Sequence, residues 1–339
     1  MSSTNTSPSP SPPSSPRPDT PLTDEKDVPP QVLPPFDRPS ADLILRSSDG
    51  AEFRVWKCIL AEASPVFENM FSLAARGTLG EKAEDRPSTT PSESNAIATP
   101  ALDVPETSEV LNSLLRICYP TFEHVISSLD ELKPVIHAAH KYQMEAALDS
   151  LEDDLLEFVK NEPLRVYAIA TRYDMPCAVH RAVTQSLTRP WNPSHDHVPE
   201  IEDITGGAYL CLLTYRKECT DALLQMCAGL EWLDNVAWTF LRCKTSCTRE
   251  DTLRKLRVRD GNKDEEPVTW FWEYYTRMAA LLRECPAAAT ISDPWLIKDA
   301  VRSASACSEC RLLAHTHLLA FMRCMGAEIT RRLDKCTWR

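Results

Sequence analysis

The sequence predicts an α+β protein: a short sheet with helical hairpins, followed by a mainly α-helical C-terminal region. Three observations carry that prediction. Period-two alternation of apolar residues is confined to residues 42–55 and a short stretch near residue 101. Apolar residues recur at spacings of three and four through most of the remaining chain. The opening segment is rich in Ser and Pro and too poor in apolar side chains to repay the entropy of ordering.

Twelve of the 27 prolines fall between Pro8 and Pro39, so residues 1–38 read as a disordered tail. In "DLILRSSDGAEFRVW", Leu43 and Leu45 share one strand face, Asp49-Gly50 is a turn, and Phe53 and Val55 alternate with Glu52 and Arg54, which predicts a β-hairpin. Ser64 then stands as an N-cap with Pro65 at the first helical position, and Val66, Phe67, Met70, Phe71 and Ala74 fall on one helical face. Residues 77–100 interrupt the apolar pattern with charges, Ser, Thr and Pro and read as a disordered surface insertion. "ALDVP" is a short strand, and helices are predicted from Glu109 to Tyr119-Pro120, from Leu129 to Tyr142 and from Glu145 to Val159.

This order resembles the BTB/POZ domain, in the divergent form found in many fungal chains, over residues 39–158. The matching residues are Asp42; Phe53, Lys57 and Leu60; Ser64, Phe67 and Met70-Phe71; Leu114-Leu115 with Tyr119-Pro120; and Ala138-Ala139 with Tyr142 and Met144. The resemblance implies a fold that acts through surfaces: homodimer or heterodimer formation and, in some members, docking to a cullin scaffold of a ubiquitin ligase. It places a groove and dimer surface at Asp42, Phe53, Trp56 and Lys57, with Trp56 standing where the family commonly has His. Leu79-Gly80-Glu81 has the hydrophobic-x-acidic form that some cullin-binding members carry. Together with Met70 and Phe71 it is the candidate partner-binding stretch.

Residues 159–339 read as an α-helical C-terminal domain. Its first two short helices, within residues 161–190, resemble a BACK-type extension. Further helices are predicted from Tyr209 to Met226, Asn235 to Leu241, Val268 to Arg283 and from Pro294 to near the C-terminus. The aromatic run "VTWFWEYYTRM" has helical spacing and few basic neighbours, which makes it core and not a stacking platform for nucleic acid. Cys243-x3-Cys247 and Cys307-x2-Cys310 are two close pairs of the kind that can grip one zinc ion. Cys211, Cys219, Cys227, Cys285 and Cys324 also occur within apolar helices, so the alternative is that this chain uses Cys as a small hydrophobe. His315 and His317 are two apart on a helix and face different ways, which makes them poor joint ligands.

Composition narrows the function classes. A net charge of -12 points to protein partners and away from nucleic acid. The opening segment lacks the apolar run of a signal peptide, and no apolar run reaches ~18 residues. An intracellular protein of cytoplasm or nucleus, with no membrane partner and reduced thiols, is expected. The eight glycines form no phosphate-binding loop, and no GxSxG or HExxH motif occurs. Cys58 has only Lys57 beside it as an activator and reads as a packing residue. The expected function is a non-catalytic interaction module without an obligatory cofactor, structural zinc aside. It would act as a homodimer that recruits protein partners; the alternatives are a cullin-type ligase adaptor and a zinc-stabilised transcription regulator.

Overall fold

The computed structural model describes residues 30–79, 99–119, 126–190, 198–234, 238–243, 247, 256–258 and 264–338. The described residues fall into two compact units, one comprising 30–56 and 99–108, the other 57–79 and those from 109 onward.

The first unit is a three-stranded sheet. Strands β1 (Leu43–Arg46) and β2 (Glu52–Val55) pair antiparallel, with Leu43 opposite Val55 and Leu45 opposite Phe53. Strand β3 (Ala101–Asp103) lies parallel to β1 on its other side, giving the order β2-β1-β3. The turn needs Gly50, whose φ of 83° is open to glycine at little cost. Leu43, Leu45, Phe53 and Val55 point to the buried face, as period two requires. Arg46 on the exposed side pairs with Glu52 and Asp103 across both neighbouring strands. Phe36 is fully buried 5.9 Å from the Phe53 ring, and its carbonyl accepts from the Arg54 N–H, so ordered chain begins before residue 39. Residues 1–29 of the expected tail lie outside the described residues.

The second unit is built from helices. Trp56 and Lys57 do not prolong the second strand; helix α1 (Lys57–Ala63) begins there, which the sequence reading missed because only Leu60 of its seven residues is buried. Helix α2 (Pro65–Leu79) starts as expected: Ser64 Oγ accepts from the Phe67 N–H at 3.2 Å and donates to the Tyr142 carbonyl at 2.6 Å. It runs to Leu79, over the first three residues of the expected insertion; residues 80–98 lie outside the described residues. Helices α3 (Ser108–Cys118), α4 (Leu129–Lys141) and α5 (Glu145–Phe158) lie close to the predicted bounds. So do α6 (Pro163–Arg172) and α7 (Pro176–Ser186).

The hairpins α4–α5 and α6–α7 close with the same corner. "KYQM" at 141–144 and "RYDM" at 172–175 each put a non-glycine residue in the left-handed region, Gln143 at φ 54° and Asp174 at φ 56°. In each, the Met N–H returns to the carbonyl five residues back, Ala139 or Ala170, at 2.9 Å, the 6→1 bond of a Schellman cap. Each Tyr is buried, Tyr142 stacked 4.6 Å from Phe67 and Tyr173 edge-on to His137 and His140.

Beyond them, α8 (Gly206–Cys227), the single turn α9 (Thr239–Arg242) and α10 (Thr269–Glu284) correspond to predicted helices. The last predicted helix is two: α11 (Pro294–Ala304) and α12 (Cys310–Leu333), separated by residues 305–309. A two-residue pair, β4 (Leu256–Arg257) and β5 (Asp264–Glu265), was not anticipated. Arginines tie these pieces together. Arg216 of α8 donates to the carbonyl of Ser186, the last residue of α7, and to that of Arg189 beyond it, both at 2.7 Å, and to that of Glu284 at the end of α10. Arg165 of α6 grips the buried Glu200 at 2.7 Å and also reaches Glu162 and Asp130. The Glu200 carboxyl is pushed up by burial but pulled below its ordinary range overall by Arg165.

Two changes test the corners. Gln143→Gly relieves a left-handed non-glycine residue and should raise stability by about 1 kcal/mol. Ser64→Ala removes a cap and a buried tertiary bond and should cost about 2 kcal/mol. Denaturant unfolding of the full chain reads both, with opposite signs expected.

Candidate functional site

The four cysteines singled out in the sequence come together. Cys243 and Cys247 lie just past α9; Cys307 lies in the break before α12, and Cys310 is its first residue. Their sulfurs all lie within 4.8 Å of one another, and this is the group of metal-capable side chains found among the described residues. Cys243 Sγ is 3.7 Å from Cys307 Sγ, and Cys247 Sγ is 3.7 Å from Cys310 Sγ. A disulfide needs sulfurs ~2.05 Å apart, so these are thiol contacts. Cys243, Cys307 and Cys310 are buried and Cys247 is half-buried.

An aromatic core sets that geometry. Phe240 of α9 stacks on Phe271 of α10 with centroids 3.9 Å apart and planes 4° from parallel, and Phe321 of α12 meets both edge-on at 5.6 and 5.1 Å. The three helices that carry or flank the cysteines are thus fixed by these three rings, each 0% exposed. Backbone bonds complete the frame. The Val268 N–H donates to the Phe240 carbonyl, the Thr269 N–H and Oγ to that of Cys247, and the Arg311 N–H to that of Cys307. His317 Nδ1 accepts from the Thr239 N–H at 3.0 Å, so this ring holds the start of α9 while His315 is exposed, which agrees with their separate faces.

The electrostatics of the cluster are mixed. Burial pushes the Cys310 thiol up from an ordinary 9.0 to about 11. Cys247 is pushed well above the usual thiol range, by burial first and then by hydrogen bonds with Cys307 and Cys310. The buried Trp270 Nε1–H has no hydrogen-bond partner. Cys243 Sγ donates to Glu309 Oε2 at 3.3 Å, a neighbour the sequence reading did not single out. A cavity of about 260 Å³ lined by Cys247, Cys307, Thr269, Trp270 and Glu273 opens beside the sulfurs.

The residues expected at a groove and dimer surface belong to both units. Asp42 is exposed just before β1 in the first unit, whereas Lys57 opens α1 in the second and, like Trp56, is half-buried. Phe53 is 2% exposed and packs on Phe36, so in the folded chain it is a core residue and not a surface one. On α2, Met70 is 41% exposed and Phe71 is half-buried with its ring 6.0 Å from Phe67. Leu79 is the last residue of α2, and Glu81 lies outside the described residues. Cys58, expected to pack, is exposed instead, because it sits on the outer side of the short helix α1. It borders a cavity of about 650 Å³ with Ile59, Ile117, Cys118, Met144 and Ala147. Of the cysteines given the small-hydrophobe reading, Cys219 is buried, Cys227 and Cys285 are half-buried, and Cys211 and Cys324 are exposed.

Strands β1 to β3 and helices α1 to α5 all lie within residues 37–159, which the BTB/POZ domain model matches in the comparison to known families. These residues are a BTB/POZ domain. A search of curated proteins returns no match to the chain. BTB/POZ domains are in general interaction modules, and the domain here supports that class of function. The region after it is mostly helical. Among the described residues, no helix is long and apolar enough to cross a membrane.

Burial raises the thiols of Cys118 and Cys227 from 9.0 to about 11, in Cys227 against a downward pull from Arg332. A group raised in the folded state favours folding fully below its unfolded value and ceases to do so as pH climbs through its folded one. Stability should therefore be flat in these two groups up to about pH 9 and fall between pH 9 and about 11. Thermal unfolding across that range reads the loss, and Cys118→Ala should make it shallower.

Proposed function

We propose that this protein is a non-catalytic protein–protein interaction module that dimerises through its BTB/POZ domain and recruits a protein partner through the rest of the chain. The observation that carries this reading is the BTB/POZ match over residues 37–159, followed in the chain by a mostly helical region. The net charge of -12 supports a protein partner over nucleic acid.

A second reading, adaptor to a cullin-type ligase, rests on helix α2. Met70 and Leu73 are 41% and 67% exposed there, an apolar surface on a helix that ends at the Leu79 of the hydrophobic-x-acidic stretch. Exposed large apolar residues grouped on one element are of the kind that partners cover.

Light scattering at micromolar concentration should give twice the chain mass of 38.1 kDa. A monomer throughout the concentration range would overturn the dimer. Affinity purification from the native cell should recover a cullin only if the second reading holds, and then Met70→Ala with Leu73→Ala should weaken recovery at least tenfold. Recovery of no cullin removes that reading and leaves the dimer intact.

A further inference from the structure

We propose that Cys243, Cys247, Cys307 and Cys310 bind one zinc ion tetrahedrally as four thiolates, with the buried Trp270 indole N–H as a donor to the sulfurs once they are charged. A zinc–thiolate bond of about 2.3 Å sets sulfurs about 3.8 Å apart at the corners of a tetrahedron. The two closest pairs already stand at 3.7 Å, and the widest separation in the group is 4.8 Å, so closing on an ion needs a movement of about 1 Å. Neutral thiols have little reason to gather: each is a weak donor and a weak acceptor, and a packing role asks only for apolar contact.

Three further features suit an ion. The Trp270 Nε1–H is buried with no partner, and Trp270 lines the same cavity as Cys247 and Cys307. Burying an indole N–H unpaired is costly, and a thiolate would satisfy it. Cys310 opens α12, a helix of 24 residues, so the positive end of its dipole faces the sulfurs. The cavity beside Cys247 and Cys307 provides a route from solvent.

The step is balanced without any redox change. Four S–H bonds break, four Zn–S bonds form, and four protons pass to solvent. Glu309 already accepts from the Cys243 thiol, and being exposed it can carry that proton outward. The ion would tie the end of α9 to the start of α12 across more than sixty residues of chain, and its loss would free both ends together.

Metal analysis of the full chain, purified under reductant, should find about one zinc per chain. Cys243→Ser and Cys307→Ser should each lose it, while Cys324→Ser, at an exposed position outside the cluster, should keep it. Should the serine variants not fold, the unaltered chain decides: stripped with chelator and titrated with Co2+, it should develop the intense visible absorption of a tetrahedral thiolate site. Trp270→Phe keeps an aromatic ring without the N–H and should weaken zinc affinity about tenfold at unchanged stoichiometry. Less than about half a zinc per chain with added Zn2+ and no cobalt absorption would overturn the site, as would disulfides between these cysteines in protein alkylated at lysis. Unchanged affinity in Trp270→Phe would remove the role of the indole. These outcomes are separate from the oligomeric state, so the site and the dimer stand or fall independently.

Discussion

The position of the four cysteines depends on the stack of Phe240 on Phe271. Rings 3.9 Å apart and nearly parallel leave no room for either helix to slide, and Phe321 set edge-on against both closes the third side. Cys243 is three residues past Phe240, and Thr269, which holds the Cys247 carbonyl, is two before Phe271. A shift of α9 by one residue would turn Cys243 away from Cys307. The core therefore acts first and sets where the sulfurs lie, which explains how two pairs more than sixty residues apart meet without a disulfide.

Away from the sulfurs, cations at helix ends connect the pieces. Arg216 collects the last carbonyls of α7 and α10, groups that a helix C-terminus leaves partly negative, and with them the carbonyl of Arg189. Arg165 acts differently, holding the buried Glu200 in its charged form beside Glu162 and Asp130. Replacing such an ion pair by an apolar pair of like volume is often neutral, whereas removing one partner is costly. Trp338 adds an apolar tie near the chain end, lying edge-on to Tyr167 of α6 and Tyr215 of α8, each at 5.7 Å.

Much of the first 160 residues was legible because its signals are local. Asp49-Gly50 between alternating strands, and Ser64-Pro65 ahead of an apolar face, each fix a boundary by sterics or by one hydrogen bond. Helix α1 was not legible, since Leu60 alone of its residues is buried and one apolar position sets no period. The break between α11 and α12 escaped because Ser305 to Glu309 contains neither Gly nor Pro; the Ser305 N–H and hydroxyl both turn back onto the Arg302 carbonyl at the end of α11. The matching corners "KYQM" and "RYDM" were not singled out, because their left-handed residues are Gln and Asp, not the glycine usual at such caps. The cysteine pairs could be read as ligand-like from spacing. Their convergence, the carboxylate of Glu309 and the unpaired indole of Trp270 are properties of the packed chain that no spacing encodes.

Helix α9 shows why a cross-link at this place would matter. Four residues make one turn, and one turn leaves more backbone groups unpaired than it pairs, so α9 has no stability of its own. Its N-terminal donor is taken by His317 of α12, the Phe240 carbonyl by Val268, and its aromatic side chain by Phe271 and Phe321. Every one of these contacts comes from α10, α12 or the residues that lead into them. An ion shared between Cys243, Cys247, Cys307 and Cys310 would hold the other end of that turn to the same helices, fixing it at both ends. Four neutral sulfurs at the same positions would add contact area but little direction, because a thiol is a weak hydrogen-bonding group.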